Sequence, residues 1–201
     1  MSIELKALNL VVVFEEFGKF QIKRDILEKL FTDSEPNVIW YNDPISPGII
    51  QYNDKALDIS IVDNKYQIST VATNNEIPKY FPDVLKKSLE AANERNIIAY
   101  GFNFDFFSPD LEEVKDLFKI QINLKSFQYK PKTFLSLAFE KNNLIFVFDI
   151  KDDKISSNLH VNVHHEEKLK ASILANKISN KLHTDFQLSL ELIKEVLESV
   201  K

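Results

Sequence analysis

Apolar and polar positions alternate with a period near two along much of the chain, interrupted by a few stretches with helical spacing. Leu8–Phe14 (LNLVVVF) is a continuous apolar run rich in valine, the pattern of a buried strand. Ile26, Leu27, Leu30 and Phe31 then fall at helical spacing, and Pro36 closes that segment. Short strands follow at Val38–Tyr41 and Ile49–Tyr52. Leu57, Ile59 and Ile61 alternate with Asp58 and Ser60, the pattern of a sheet with one wet face. Asp63–Asn64 predicts a two-residue turn into a partner strand, Tyr66–Val71.

Pro78–Arg95 is helical in pattern. Phe81, Leu85, Leu89 and Ala92 form its apolar stripe, and Pro82 lies in the first turn, where a missing N–H costs little. Ile97–Phe107 predicts a long strand. Ser108-Pro109-Asp110 is a helix start, and Leu111, Val114, Leu117 and Phe118 give that helix its buried face. Four more strands are predicted at Ile120–Tyr129, Thr133–Glu140, Leu144–Ile150 and Ile155–His164. The chain then turns helical at about 166–182 and 185–200. Thr184 with Gln187 reads as a capping box, predicting a break near His183.

These elements make an α+β fold: a largely antiparallel sheet with helices packed on it. Each half of the chain runs strand, helix, four strands, helix, so one compact unit of two pseudo-repeated halves, 1–95 and 96–201, is expected. That order resembles the doubled saddle of the TATA-box-binding protein family. The basic, glycine-punctuated sequence of that family is missing here, so its DNA-binding role is not carried over. Gly101-Phe102-Asn103-Phe104, Asp149-Ile150, and Leu182-His183 followed by Phe186 are similar to a sporadically distributed bacterial family of unassigned function. That resemblance implies a fold and no chemistry.

Composition narrows the function classes. The 201 residues hold no cysteine, which excludes disulfides, thiol catalysis, cysteine zinc sites and iron–sulfur clusters. Glycine occurs three times, at Gly18, Gly48 and Gly101, so neither GxGxxG nor a P-loop exists. Asn is abundant and is expected to take left-handed turn positions, as at Asn74–Asn75 and Asn142–Asn143. The formal net charge is −5, and only Arg24 and Arg95 are arginine. Both facts argue against nucleic acid. No apolar run has the length of a membrane span and the N-terminus carries no leader pattern, so a cytoplasmic protein with no membrane partner is expected.

Candidate chemistry is sparse. His160, Asn162 and His164 share a face of one predicted strand. His160 and His164 stand roughly 13 Å apart at ~3.3 Å per residue, too far for one metal. Asp105 shares a face with Asn103 and Phe107, opposite a core face of Phe102, Phe104 and Phe106. It would need a partner to act as acid or base. Asp149, Asp152 and Asp153 lack the glycine and closing glutamate of a calcium loop. Trp40, Tyr41 and Tyr52 flank a proline-containing loop and are expected to be hairpin core; exposed, they would anchor a partner. The last helix carries Phe186, Leu190, Ile193, Leu197 and Val200, with Leu188, Leu192 and Val196 as a second stripe. This apolar face is wide enough to hold a sheet and also another subunit.

The reading is therefore a non-enzymatic protein-interaction or assembly module, with a homodimer as one form. Its candidate interaction residues are Phe186, Leu190, Ile193, Leu197, Trp40 and Tyr41. No catalytic set, cofactor or metal is assigned. The alternative is an enzyme or small-molecule binder with a cleft near Asp105 and His160, with His164 beside them.

Overall fold

The computed structural model describes residues 2–16, 18–108, 134–141, 144–151 and 158–198. The helix expected after Ser108, the strand expected at Ile120–Tyr129, the Asn142–Asn143 turn and the Asp152–Asp153 turn lie outside them. The strands are β1 (Glu4–Phe14), β2 (Asn37–Trp40), β3 (Gly48–Tyr52), β4 (Leu57–Val62), β5 (Lys65–Val71), β6 (Asn96–Phe107), β7 (Phe134–Lys141), β8 (Leu144–Lys151), β9 (Asn158–His165) and β10 (Leu169–Lys170). The helices are α1 (Arg24–Leu27), α2 (Phe81–Ala92) and α3 (Ala171–Glu198). All strands join one sheet in the order β2-β3-β4-β5-β1-β6-β9-β8-β7, with β10 added to β6. Every pairing is antiparallel. The fold is α+β.

Alternation along the strands decides which face the helices cover. Leu8, Leu10, Val12 and Phe14 of β1, Tyr66 and Ile68 of β5, and Phe102, Phe104 and Phe106 of β6 are buried. They form one core with Phe81, Leu85 and Leu89 of α2 and Leu174, Ile178, Leu182 and Ile193 of α3. Burying each of these side chains contributes roughly 1.5–3 kcal/mol. The two long helices therefore lie on the same side of the sheet.

Three helical expectations are corrected. α1 stops at Leu27 and does not reach Phe31, because a buried tyrosine replaces its ladder. The Tyr52 hydroxyl donates to the Leu27 carbonyl at 2.8 Å and accepts the Leu30 N–H at 3.2 Å. α3 starts at Ala171, five residues later than the pattern suggests. There the Asn93 and Arg95 carbonyls accept the N–H groups of Ser172 and Ala171, satisfying donors that a helix start leaves orphaned. α3 also runs unbroken past Thr184. Ile178, Leu182, Asp185, Ser189 and Ile193 keep one buried face across the expected break. A threonine inside a helix costs only tenths of a kcal/mol, up to about 0.7, which this burial exceeds.

The turn chemistry follows the sequence where it is described. Asn74 and Asn75 have φ of 54° and 63°, and Asp63 has φ 52° at the β4–β5 turn. Gly48 carries the indole of Trp40, since a Cβ there would stand 2.7 Å from Trp40 Cζ3.

Tyr52, Tyr66 and Tyr100 are almost fully inside. Burial raises the pKa of each phenol. At Tyr100, nearby Glu167 and Asp185 push further the same way. Below about pH 10 all three phenols are neutral in both folded and unfolded chains, so they add no pH dependence. Above it the unfolded chain releases protons that the folded chain keeps. Stability then falls as pH rises, by up to about 1.4 kcal/mol per pH unit for each tyrosine. Tyrosinate absorbance from these three residues is therefore expected to appear together with loss of near-ultraviolet ellipticity. Their ionisation in a still-folded protein would contradict their burial.

Candidate functional site

The face of the sheet turned away from the helices carries a row of polar side chains in register. Asn37 pairs Gln51, Gln51 pairs Asp58, Asp58 pairs Ser69, Ser69 pairs Asn9, Asn9 pairs Asn103, and Asn103 pairs Asn162. The row crosses seven strands. Asn103, next to its β9 end, joins three strands by hydrogen bonds. Its Nδ2 donates to Asn9 Oδ1 at 2.7 Å, and its Oδ1 accepts from Asn162 Nδ2. Gln51 Nε2 donates to Asp58 Oδ1 at 2.9 Å farther out.

His160 and Asp105 sit one row away, directly opposite each other on β9 and β6. Sequence alone names no partner for Asp105; the sheet supplies one. His160 Nδ1 lies 2.6 Å from Asp105 Oδ1, and His160 Nε2 lies 3.2 Å from Asn103 Oδ1. Both partners are oxygen acceptors, and which ring nitrogen donates depends on the tautomer. On this face amides, imidazole and carboxylate converge. They do so on an open face, with the two side chains 38% and 44% exposed.

His164 is on the same face but opposite Gly101, separated from His160 by Asn162. Its Nε2 lies 3.8 Å from the Glu166 carboxylate. Gly101 lets β9 come close, because a Cβ there would stand 2.9 Å from the Val163 carbonyl oxygen. Among the described residues no three His, Asp or Glu side chains gather as metal ligands.

The interaction residues expected on α3 go into the core. Ile193 is fully buried. Phe186 packs on Phe104 and Phe106, with ring centres at 5.6 and 6.0 Å, and Leu190 lies against the same core. The Leu197 side chain lies outside the described residues. Of the second stripe, Leu192 is buried and Leu188 is exposed. Trp40 is half-buried beneath the Arg24 guanidinium. Tyr41 is 57% exposed, contrary to the hairpin-core expectation. It follows the end of β2, where the alternation that turns Trp40 inward turns its neighbour out.

A second polar cluster was missed. His165 Nε2 lies 2.7 Å from Asp185 Oδ2, the imidazole stacks on Tyr100 at 4.7 Å, and the Tyr100 hydroxyl donates to Glu167 at 3.3 Å. Its signal is present in the sequence. Asp185 interrupts the apolar stripe of α3 between Leu182 and Ser189, and His165 must point opposite to His164.

Compared with known proteins, the chain matches no family model and no curated sequence. Among the described residues no helix is long and apolar enough to cross a membrane.

Proposed function

We propose that this protein is a non-enzymatic assembly module that self-associates through the open face of its sheet, with a second copy of the chain as occupant. The observation that carries this reading is the contrast between the two sides of the molecule. The solvent side of the helices bears Lys86, Lys87, Glu90, Lys177, Glu191 and Lys194, all exposed. The open face of the central strands is instead mostly amide, hydroxyl, alanine and valine (Asn9, Val11, Val13, Gln67, Ser69, Val71, Ala99 and Asn103), with Lys65 and Asp58 as its charges toward one side. In its middle Asp105 is paired with His160. Depletion of charge marks the centre of protein interfaces, and asparagine is a poor strand former that folding alone does not favour.

Amides both donate and accept, so a row of them is complementary to its own copy, as a two-fold interface requires. A nearly neutral face also lets two chains of net charge −5 approach. Seven strands at ~4.8 Å and six residues at ~3.3 Å make a flat footprint of roughly 700 Å², close to the ~800 Å² per partner of a stable complex. The outward orders β5-β4-β3 beside β1 and β9-β8-β7 beside β6 favour reading the chain as two similar halves meeting near Asn96.

A second reading, a small-molecule binder or acid–base enzyme centred on Asp105 and His160, draws on their 2.6 Å contact. Against it stand the engagement of the second ring nitrogen by Asn103 and the openness of the pair.

Light scattering after size exclusion, over a wide concentration range, tests the proposal. The wild-type chain is expected to be a dimer. Val71→Lys, at a side chain half exposed and outside the core, is expected to give a folded monomer. A wild-type chain that stays monomeric up to near-millimolar concentration overturns the reading. So does a Val71→Lys variant that still dimerises as tightly.

A further inference from the structure

A cleft of about 430 Å³ opens at the end of β1 and β4, lined by Glu15, Glu16, Lys19, Ser46, Ile61 and Asp63 among others. Its volume lies within the ~300–1,000 Å³ of small-ligand sites. Lys19 is the unusual member. It is only 3% exposed, and among the described residues its ammonium makes one hydrogen bond, to the Ser46 carbonyl at 2.6 Å, besides standing 5.3 Å over the Phe20 ring. A buried ammonium is ordinarily matched by a carboxylate, because an unpaired interior charge is costly. No carboxylate lies within ion-pair distance of Lys19 among the described residues; the Asp43 carboxylate feels its charge from farther off, and three more carboxylates line the same cleft.

Those carboxylates are themselves short of cations. Among the described residues Glu15 accepts only the Asn96 amide, at 3.2 Å, and Glu16 and Asp63 are exposed with no ion pair. The cleft therefore offers a cation in its wall and anions at its rim, held apart from each other. Pro44 and Ile61 give the cleft its apolar lining. The loop that carries Ile45 is fastened by Asp43, which accepts the N–H groups of Ile45 and Ser46.

We propose that this cleft binds a free α-amino acid with an apolar side chain. The ligand carboxylate takes the unused donors of Lys19. Its ammonium meets the carboxylates of Glu16 and Asp63, and its side chain lies against Pro44 and Ile61. A ligand with one charge alone would satisfy one half of the site and leave the other unmatched. The site is at the far end of the strands from Asp105 and needs no second copy of the chain, so it stands independently of self-association.

Titration calorimetry of the full chain with free leucine, isoleucine, phenylalanine and methionine tests this, with acetate and methylammonium as single-charge controls. The apolar amino acids are expected to bind and the controls to bind at least tenfold more weakly. Lys19→Met is expected to lower affinity about tenfold or more, the effect of one lost charge-assisted hydrogen bond. Because Lys19 is buried, the Glu16→Gln/Asp63→Asn double variant, changed only at exposed residues, repeats the test with a severalfold loss expected. Absence of binding by all four amino acids to folded wild-type protein overturns the proposal. So does acetate binding as tightly as leucine, or binding unchanged in the double variant.

Discussion

Asp185→Ala is expected to cost about 3 kcal/mol of folding stability, read by chemical denaturation. The Asp185 side chain is 3% exposed and that of His165 16%, and they meet at 2.7 Å between the middle of α3 and the end of β9. Removing one member of such a pair leaves the other buried without its partner, which costs more than the pair contributes in net terms. The effect spreads because the ring of His165 lies parallel to Tyr100, at 17°, and Tyr100 itself reaches Glu167. Loss of Asp185 thus loosens the clasp between the long helix and the sheet. An apolar pair of similar volume, Asp185→Leu with His165→Phe, is expected to recover most of the loss, since it leaves no buried polar group behind. A loss below about 1 kcal/mol in Asp185→Ala would mean that solvent reaches the pair and that the clasp contributes little.

The elements that pattern alone predicts best are those whose neighbours add nothing to the rule. Leu57–Val62 alternates strictly and is a strand with one wet face, and α2 carries its stripe from Phe81 to Ala92 as spaced. The failures are places where a distant residue decides. α1 ends because Tyr52 takes its backbone groups from 25 residues away. α3 begins late because the 93–95 turn supplies its cap, and it passes Thr184 because sheet contacts outweigh a local capping signal. The same distinction governs the site. Sequence places Asn103 and Asp105 on one face and His160 and Asn162 on another strand. Only strand order and register make them neighbours: β6 lies beside β9 with Asp105 opposite His160, although 55 positions separate them in the chain. The wide stripe of α3 suggests a surplus apolar face because the sequence shows Phe102, Phe104 and Phe106 as a core face but not that Phe186 of α3 is what packs on it.

That packing permits a sharp separation between the two surfaces on which self-association has been placed. Phe104 is fully buried between its strand neighbours and Phe186 of α3. Phe104→Ala removes a large ring from a packed seam and is expected to cost about 4 kcal/mol, within the range for buried aromatic truncation. Phe186 is only partly buried, so Phe186→Ala is expected to cost less, about 2 kcal/mol. Because the two rings touch, their losses should not add: the double variant is expected to fall short of the sum by at least about 0.5 kcal/mol, the coupling of residues in contact. If α3 serves the core and the open sheet face serves assembly, Phe186→Ala lowers the denaturation midpoint and leaves the dissociation constant of the dimer unchanged below that midpoint. Val71→Lys does the reverse, splitting the dimer while the isolated chain keeps its midpoint. A Phe186→Ala variant that folds with wild-type stability yet falls apart into monomers would return the interface to the helix and remove it from the asparagine row.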